Sequence, residues 1–485
     1  MHGGAAAQFA SLTAMVKILA ALFAVSVAAA QPKALDWAKI DAETLLHFTK
    51  IVQINSSDPG GSEKPVVDYL KAVLDKEGIE TKVYEIENFA DPSIHRPNLV
   101  ARLKGSGKKR PILLMGHTDT VNIDPKKWKH GPFSAHREDG YIYGRGTLDD
   151  KPSVVACLMT MLLLKRQGVK LDRDVIFLAE SGEEGATSVG IAFMVNQHYD
   201  AIDAEYCLAE GGQVTRINGK IRNVSVETTE KLPSGVRLVA TGVAGHGSMP
   251  LRSNPVAHLA QAVARVAAWQ PPMRMNDTTR TYFERLATVV SPEDRDRFNG
   301  LLNPDKTDAI QEYLAINDPF HNSMLRTSIS PNIIKAGYRI NVIPSEAEAT
   351  LDIRALPDED LPKFYEQLKS VINDPSIKIV RDTFNARPPA APSSLTSEAF
   401  KTIEALSQKH YPGVPVLPTM MTGATDMSFL RAKGMQCYGL GPIMDAEDIQ
   451  KGFSYHSDQE RIVEAALYRH AKFHYEIVEQ LAAAK

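Results

Sequence analysis

The chain has 485 residues, which is long for one ordinary domain and predicts two. Apolar residues make up 44% and charged residues 23%, an ordinary composition for a soluble protein. The formal net charge is -3 and no block of Lys or Arg stands out. This argues against nucleic acid as a partner, because phosphate binding calls for clustered positive charge.

The N-terminal segment predicts export. Residues 18–30 are apolar and rich in small side chains, they follow Lys17, and they end in three alanines before Gln31. These are the features of a secretory signal and its cleavage site, so we expect residues 1–30 to be removed and the mature protein to be secreted or periplasmic. An uncleaved membrane anchor is the alternative, but about 13 apolar residues are too few to span a bilayer.

The first half of the chain alternates helical and strand-like segments. Apolar periodicity predicts helices at 41–52 and 64–77, and the run at 153–164 is apolar nearly all round, which predicts a buried helix. Strand-like runs lie at 81–84, 98–103, 111–115, 174–179 and 204–209. This alternation predicts an α/β fold, a mostly parallel sheet with helices on both faces. In such sheets function gathers beyond the carboxyl ends of the strands.

The pattern changes near Pro233, where a smaller α+β unit begins. Its predicted elements are a strand at 237–241, a helix at 255–269, two strands within 335–355, a helix at 361–372 and a strand at 377–380. Residues 270–330 are polar and less periodic, and we interpret them as an insertion with helical pieces. Prolines at 388, 389 and 392 indicate a linker back to the first domain, which resumes with a helix at 397–410.

The predicted organisation is therefore one domain interrupted by another. A signal peptide at 1–30 precedes the first part of the catalytic domain at 31–232, a smaller domain is inserted at 233–387, and residues 388–485 complete the catalytic domain. The cysteines Cys157, Cys207 and Cys437 all lie in apolar runs and are odd in number. This predicts buried free thiols rather than a disulfide framework.

Histidines and acids cluster directly after the strand-like runs. The clusters are Gly116-His117-Thr118-Asp119, Thr147-Leu148-Asp149-Asp150-Lys151, Glu180-Ser181-Gly182-Glu183-Glu184-Gly185, Tyr455-His456-Ser457-Asp458 and, as a single acid, Glu210. Histidine and carboxylate without cysteine are the ligands of hydrolytic zinc, cobalt or manganese rather than of structural zinc. The amount of negative charge predicts two metal ions that share a carboxylate and activate a water, and thus a two-metal hydrolase.

Each cluster has a plainer interpretation. His117 could be a loop histidine and Asp119 a helix cap, instead of a metal ligand and the carboxylate that orients it. Asp150 could cap the helix that follows, although two successive aspartates at a helix start can also hold cations. Glu183 and Glu184 could belong to a solvated loop, instead of one binding metal while the other takes a proton.

Together the clusters resemble the two-zinc metallopeptidase family of aminoacylases, carnosinases, carboxypeptidase S and bacterial glutamate carboxypeptidases. The resemblance runs from about residue 40 to the end and is strongest in five ordered segments: 116–119, 143–151, 183–185, Gly245-His246-Gly247-Ser248 and His456. The Glu210-Gly211-Gly212 turn is most similar to the carboxypeptidase S branch. That branch often has Asp before the Glu, where this chain has Ala209.

The resemblance implies a role for each matching residue. His117, Glu210 and Asp149 would bind one zinc ion, and His456, Glu184 and Asp149 the other, with cobalt or manganese as alternative metals. Asp119 would orient His117, and Glu183 would be the general base and then the general acid. His246 would stabilise the oxyanion, from the partner subunit in family dimers, and the inserted domain would be a lid or dimerisation domain. Asn341 and Arg354 would hold the substrate carboxylate.

Two of these roles have a plain alternative, since His246 could be a strand-end histidine in a glycine-rich turn and Arg354 a surface arginine. The resulting hypothesis is an exported two-zinc enzyme that cleaves a dipeptidase- or carboxypeptidase-type peptide bond. An N-acyl-amino-acid deacylase is the alternative enzyme. A catalytically silent binding protein on the same scaffold is another alternative, but it should have lost Glu183 or a ligand. A structural or adhesion protein would hold no metal.

Overall fold

The computed structural model describes residues 34–86, 95–381 and 386–484. The predicted signal segment lies outside these residues. Trp37–Lys485 form one compact unit, and the description below concerns that unit. None of the described helices is both long and apolar enough to cross a membrane.

The helices and strands follow one another along the whole described chain. The helices are α1 (Trp37–Val52), α2 (Lys64–Lys76), α3 (Lys151–Arg166), α4 (Ile191–Gln197), α5 (Tyr199–Ile202), α6 (Pro255–Ala268), α7 (Asp277–Leu286), α8 (Pro292–Gly300), α9 (Thr307–Asn317), α10 (Pro319–Met324), α11 (Leu361–Ile372), α12 (Glu398–His410), α13 (Met427–Arg431), α14 (Ala446–Lys451) and α15 (Glu464–Ala482). The strands are β1 (Ser57–Asp58), β2 (Glu80–Tyr84), β3 (Asn98–Leu103), β4 (Ile112–His117), β5 (Thr120–Val121), β6 (His136–Glu138), β7 (Tyr141–Tyr143), β8 (Val175–Glu180), β9 (Tyr206–Ala209), β10 (Gln213–Ile217), β11 (Lys220–Glu230), β12 (Leu232–Pro233), β13 (Val236–Thr241), β14 (Gly245–His246), β15 (Ser328–Ala336), β16 (Val342–Ile343), β17 (Glu346–Ala355), β18 (Ile377–Arg381), β19 (Val416–Met421), β20 (Gln436–Gly439), β21 (Ile443–Asp445) and β22 (Arg461–Val463).

A large mixed sheet forms the centre of the molecule. Among the described residues its order is β2-β3-β8-β4-β9-β20-β11-β10-β21, with β19 paired to β11. The neighbours β8, β4, β9 and β20 run parallel to one another. Strands β4 and β8 bury all six of their residues, as expected of parallel strands covered on both faces. The predicted mostly parallel α/β sheet is confirmed in this central part, and its outer pairs β2–β3 and β10–β11 are antiparallel.

Helices cover both faces of this sheet. On one face Leu113 and Met115 pack with residues of α4 and α13. On the other face α3 lies so close to β4 that a side chain on Gly116 would meet Val154. Residues 151–164 of α3 are all buried, so the predicted buried helix is confirmed, although it begins two residues earlier, with Pro152 in its first turn. The three cysteines are buried and free, as predicted.

A smaller antiparallel sheet is built entirely from the second part of the chain. It has the order β12-β17-β13-β18, with β15 also paired to β17. One face packs against α6 and α11, and β17 alternates buried and less buried residues accordingly. Strand β15 was not predicted before residue 335. Its register shifts between Pro331 and Ile333, and this bulge breaks the alternation by which a strand is recognised.

The segment interpreted as an insertion forms α7 to α10. Tyr282, Phe283 and Met324 of this segment pack with Leu417 and Met420, which belong to β19 of the large sheet. The helical pieces expected at 270–330 therefore pack against β19 of the large sheet, in a cluster separate from the core of the small sheet.

Candidate active site

Three of the predicted clusters meet because their strands are neighbours. His117 is the last residue of β4, Glu183 and Glu184 follow β8, and Glu210 follows β9 directly. Since these strands are adjacent and parallel, their carboxyl ends lie at the same edge of the sheet. The other two residues come from loops: Asp149 precedes α3, and His456 precedes β22.

Asp149 lies between the two histidines. Its Oδ1 is 2.8 Å from Nε2 of His117, and its Oδ2 is 3.1 Å from Nε2 of His456. Glu210 Oε2 lies 3.9 Å from His117 Nε2, and Glu184 Oε2 lies 3.2 Å from His456 Nε2. Each histidine thus has Asp149 and one glutamate beside it, and ligand atoms of His117, Asp149 and Glu184 also lie within 4.8 Å of one another.

Asp119 supports the site in two ways. Its backbone carbonyl oxygen lies 3.1 Å from Nδ1 of His117, which turns the Nε2 of that ring toward Asp149. Its buried carboxylate accepts hydrogen bonds from the backbone N–H groups of Gly182, Glu183 and Glu184. Burial opposes its charge, but His117 and Arg96 lower its pKa below the usual value. Asp119 therefore orients His117 and also holds the loop that carries both glutamates, a role that the sequence did not indicate.

Asp150 does not cap α3. Its side chain makes no capping hydrogen bond, and its Oδ2 is buried without a hydrogen-bond partner among the described residues. Burial raises the pKa of Asp150 to about 7. Its carboxylate lies within ligand distance of His117 and Glu210, the three ligand atoms all being within 4.8 Å of one another. The capping interpretation of Asp150 is therefore wrong, and this residue adds an oxygen to the site.

Glu460 is a site residue that sequence reasoning missed. Its fully buried carboxylate accepts hydrogen bonds from the backbone N–H groups of Gly146, Leu148 and Asp149. It also pairs with Arg145 at 2.7 Å. Glu460 thereby fixes the glycine-rich turn on which Asp149 stands. Its partners are more than 300 positions earlier in the chain, so no local pattern could have indicated the contact.

Glu183 has a different environment from the other acids. Arg387 Nη2 donates to its Oε1 at 3.0 Å, and Arg387 Nη1 donates to Asp426 Oδ1 at 2.8 Å. Burial, together with the nearby charge of Asp426, raises the pKa of Glu183 well above its usual value. Arg387 was also missed, because it was assigned only as the last residue of the inserted domain, directly before the proline-rich linker. The one local feature that could have indicated a functional role for Arg387 is its charge in a segment of prolines and alanines.

A cavity of about 440 Å³ opens beside these groups. Its lining includes Asp149, Glu183, Glu184, Glu210, His456, Arg354, Arg387, Pro233, Met421 and Thr425. Arg354 thus faces the same cavity as the acids, and its Nε donates to Asp352 at 2.9 Å. A smaller cavity of about 160 Å³ shares Asp149, Glu210 and Met421 with it, and Asp150, Leu440, Pro442 and Tyr455 also line it.

His246 and Asn341 are not brought to the cavity. Among the described residues that line it, neither is present. They lie beside each other instead, because β14 pairs with β16 and the N–H of Gly247 donates to the carbonyl oxygen of Asn341 at 2.8 Å. Both side chains are exposed.

The charges of the site fit divalent cations. Hydrogen bonds to Asp149 and Glu184 raise the pKa of His456 to about 10. Burial opposes the protonation of His117, yet Asp119 and Asp149 raise its pKa well above the usual value. The Oε1 of Glu184 is buried and has no hydrogen-bond partner among the described residues, while the side chain of His456 is 53% exposed at the mouth of the site. Histidine nitrogens and carboxylate oxygens crowded together, with an unpartnered carboxylate oxygen, are the donor set of hydrolytic metal sites.

Residues 113–480 match the family described as Peptidase family M20/M25/M40. The chain belongs to this family. It is 33% identical over 363 residues to the probable carboxypeptidase S-like 2 of Dictyostelium discoideum, which covers 71% of this chain and 69% of that protein. It is 29% identical over 379 residues to the N-fatty-acyl-amino acid synthase/hydrolase PM20D1 of Xenopus tropicalis, a match that covers 76% of this chain and 72% of that protein.

The fold agrees with this family membership. The M20 family metallo-carboxypeptidase Sso-CP2 of Sulfolobus solfataricus superposes with a TM-score of 0.67 at 21% identity, covering 90% of this chain and 98% of that one. The family resemblance, the α/β fold and the metallopeptidase class of hydrolase predicted from the sequence are therefore confirmed.

Proposed function

We propose that this protein is an exported two-metal amidohydrolase that cleaves a peptide or N-acyl amide bond beside a free carboxylate. The observation that carries the proposal is the position of Asp149, whose two oxygens contact His117 and His456 separately. A carboxylate held between two imidazoles is suited to bridge two cations. Glu210 and Glu184 offer one further oxygen on each side.

The proposed ligands are His117, Asp149 and Glu210 for one ion, and His456, Asp149 and Glu184 for the other. Zinc is the proposed metal, with cobalt or manganese as alternatives. When bound, such ions supply Lewis acidity to a carbonyl oxygen and lower the pKa of a water. Asp119 would keep His117 in the tautomer that ligates through Nε2.

Glu183 is the proposed general base and then general acid. It would take a proton from the attacking water and deliver it to the leaving amine. Arg387 holds the carboxylate in one orientation from 3.0 Å away. The raised pKa of Glu183 suits a carboxyl group that must both bind and release a proton.

Arg354 is the proposed partner of the substrate carboxylate. It lines the cavity together with the acids, and its planar guanidinium matches a carboxylate. Asn341 would join it, and His246 would stabilise the oxyanion, only after the inserted domain at 233–387 closes or a second chain lends these residues. Export rests on the signal-like segment at residues 1–30, with cleavage after Ala30.

The size of the smaller cavity favours compact substrates. A cavity of about 150 Å³ lined by apolar side chains holds benzene, and this one measures about 160 Å³, with Asp149, Asp150 and Glu210 also in its lining. Its volume suits a benzene-sized side chain or acyl group beside the scissile bond. For either enzyme class, peptidase or deacylase, the proposed substrate is therefore small: a peptide or a short N-acyl amino acid.

The test is a substrate panel on the zinc-loaded protein. Dipeptides and N-acetyl, N-benzoyl and N-oleoyl amino acids would be compared, each with a free and an amidated carboxylate. We expect hydrolysis only with the free carboxylate, a higher kcat/KM for benzoyl than for oleoyl, and loss of activity on chelation with recovery on adding zinc, cobalt or manganese. Full activity in metal-free protein would refute the two-metal proposal. Metal uptake without hydrolysis of any compound would favour a silent binding protein.

A further inference from the structure

A second group of histidine and carboxylate side chains lies away from the cavity. It consists of His130, in the loop before β6, and His136 and Glu138, at the two ends of β6. Residues two apart on a strand project to the same face, so His136 and Glu138 point together toward His130. Potential ligand atoms of the three residues all lie within 4.8 Å of one another. We name this group the hairpin cluster.

The atoms of the hairpin cluster are spaced as metal ligands are. His130 Nε2 lies 3.4 Å from Glu138 Oε2. Two ligands of a tetrahedral zinc ion, at bond lengths of about 2.0–2.1 Å, are separated by roughly 3.4 Å. The rings of His130 and His136 stack with their centroids 3.8 Å apart and their planes 15° apart, so the ring of His136 must turn before both imidazoles can direct a lone pair at one ion. Two imidazoles and one carboxylate form the three-ligand set that zinc-class ions take in proteins.

A second observation concerns hydrogen bonding. His130 Nε2 is buried, yet it has no hydrogen-bond partner among the described residues, although Glu138 is near. A buried unpaired ring nitrogen is costly and calls for a partner. Glu138 does contact Lys129 Nζ at 2.9 Å, but the Lys129 side chain is 66% exposed, and an exposed ion pair of this kind contributes little. The lysine can therefore give way to a cation of higher charge.

We propose that the hairpin cluster binds one divalent transition-metal ion, separate from the two ions of the active site. The ion would tie the loop at His130 to β6, the outer strand of the small sheet β22-β7-β6. Tyr143 of β7 is the register partner of both His136 and Arg461. The ion would therefore stabilise the small sheet, whose strand β22 begins directly after Glu460, and it would not take part in hydrolysis.

The test counts ions in the whole protein. Metal-free wild-type protein and the His136→Gln variant would be titrated with Co²⁺, followed by absorption spectroscopy, and the bound metal measured after dialysis. We expect the wild type to retain about one more ion per chain than the variant. The affinity of the hairpin cluster for Co²⁺ should fall at least about tenfold in the variant. His258→Gln is the matched control, because His258 pairs with a single acid, Asp374. This variant should retain the wild-type number of ions.

The stability of the fold gives a second readout. Excess Co²⁺ should raise the thermal midpoint of His136→Gln by less than that of the wild type, and turnover of any accepted substrate should be equal in the two. Equal ion counts and affinities in wild type and His136→Gln would overturn the proposal. Equal loss in His136→Gln and His258→Gln would show nonspecific surface binding and would also overturn it. The result does not depend on whether the protein is a hydrolase.

Discussion

Glu183 differs from its neighbour Glu184 in what it contacts, since Arg387 holds the first and His456 the second. The variant Glu183→Gln therefore tests proton transfer without disturbing metal binding. It removes the proton-accepting group and keeps the shape of the side chain. We expect kcat to fall by about 10²–10⁴ because a general base is lost. Metal content, measured by elemental analysis, should stay at the wild-type value. Wild-type turnover in this variant would assign the base elsewhere.

Arg387 is a positioning residue in this scheme, because it acts through Glu183. Its positive charge lowers the pKa of Glu183, although burial and Asp426 raise that pKa overall. In Arg387→Met the pKa of Glu183 should rise further, so the acid limb of the kcat/KM profile should move to higher pH, by about 1 unit or more.

Arg387→Lys is the control for that variant, because it keeps the charge and loses the forked guanidinium that contacts Glu183 and Asp426 together. It should show a smaller pH shift with a reduced kcat. An unchanged pH profile in both variants would reduce Arg387 to a structural role.

At the scale of elements, α15 brings two buried histidines against α3. Burial lowers the pKa of His470 to about 4 and that of His474 to about 3. His474 Nδ1 is 2.9 Å from Thr160 Oγ1, whereas neither ring nitrogen of His470 has a hydrogen-bond partner among the described residues. The lowered pKa values keep both rings neutral in the folded state above about pH 4. In the unfolded chain these histidines take up protons below about pH 6.5. Their contribution to the free energy of unfolding is therefore fully present above that pH and is lost as the pH falls toward their folded-state pKa values.

The variant His470→Leu should reduce this acid sensitivity. One such histidine contributes up to about 1.4 kcal/mol of lost stability per pH unit between about pH 6.5 and 4. Urea unfolding of wild type and variant at pH 7, 5.5 and 4.5, each with chelator present, should show a shallower loss in the variant. Parallel loss in both proteins would mean that His470 is not buried in its neutral form.

The sequence predicted those elements and site residues whose signals are local. His117 and Glu210 were found because each follows an apolar strand directly, and α3 because its residues are apolar all round. Glu460 and Arg387 were missed because their partners, Asp149 and Glu183, are close only in the folded chain. Strand β15 was recognised only at its end, because a bulge at Pro331 interrupts its alternation.

At the scale of the whole molecule, the position of His246 outside the cavity lining raises the question of how this side chain reaches the substrate. His246 is exposed and lies outside the lining of the large cavity in the described chain. If it donates to the oxyanion, His246→Ala should lower kcat by about 10²–10³ with metal content unchanged. Unaltered turnover in this variant would remove the residue from the mechanism.

Mixing two variants distinguishes whether His246 reaches the active site of its own chain or that of a second chain. If a second chain lends it, mixed dimers of His246→Ala and Glu183→Ala should regain part of the activity, because one hybrid site contains both intact groups. If the inserted domain closes within one chain, verified mixed dimers should show no recovery. Size-exclusion chromatography with light scattering would establish whether the dimers form.

The contact between Glu460 and the turn at Asp149 also has a consequence for biosynthesis. The backbone of Asp149 is held by a residue that is synthesised more than 300 positions later, and β20 enters the large sheet between β9 and β11 only near the end of translation. A chain emerging from the ribosome therefore has neither its finished sheet nor its anchored turn until the last segment arrives.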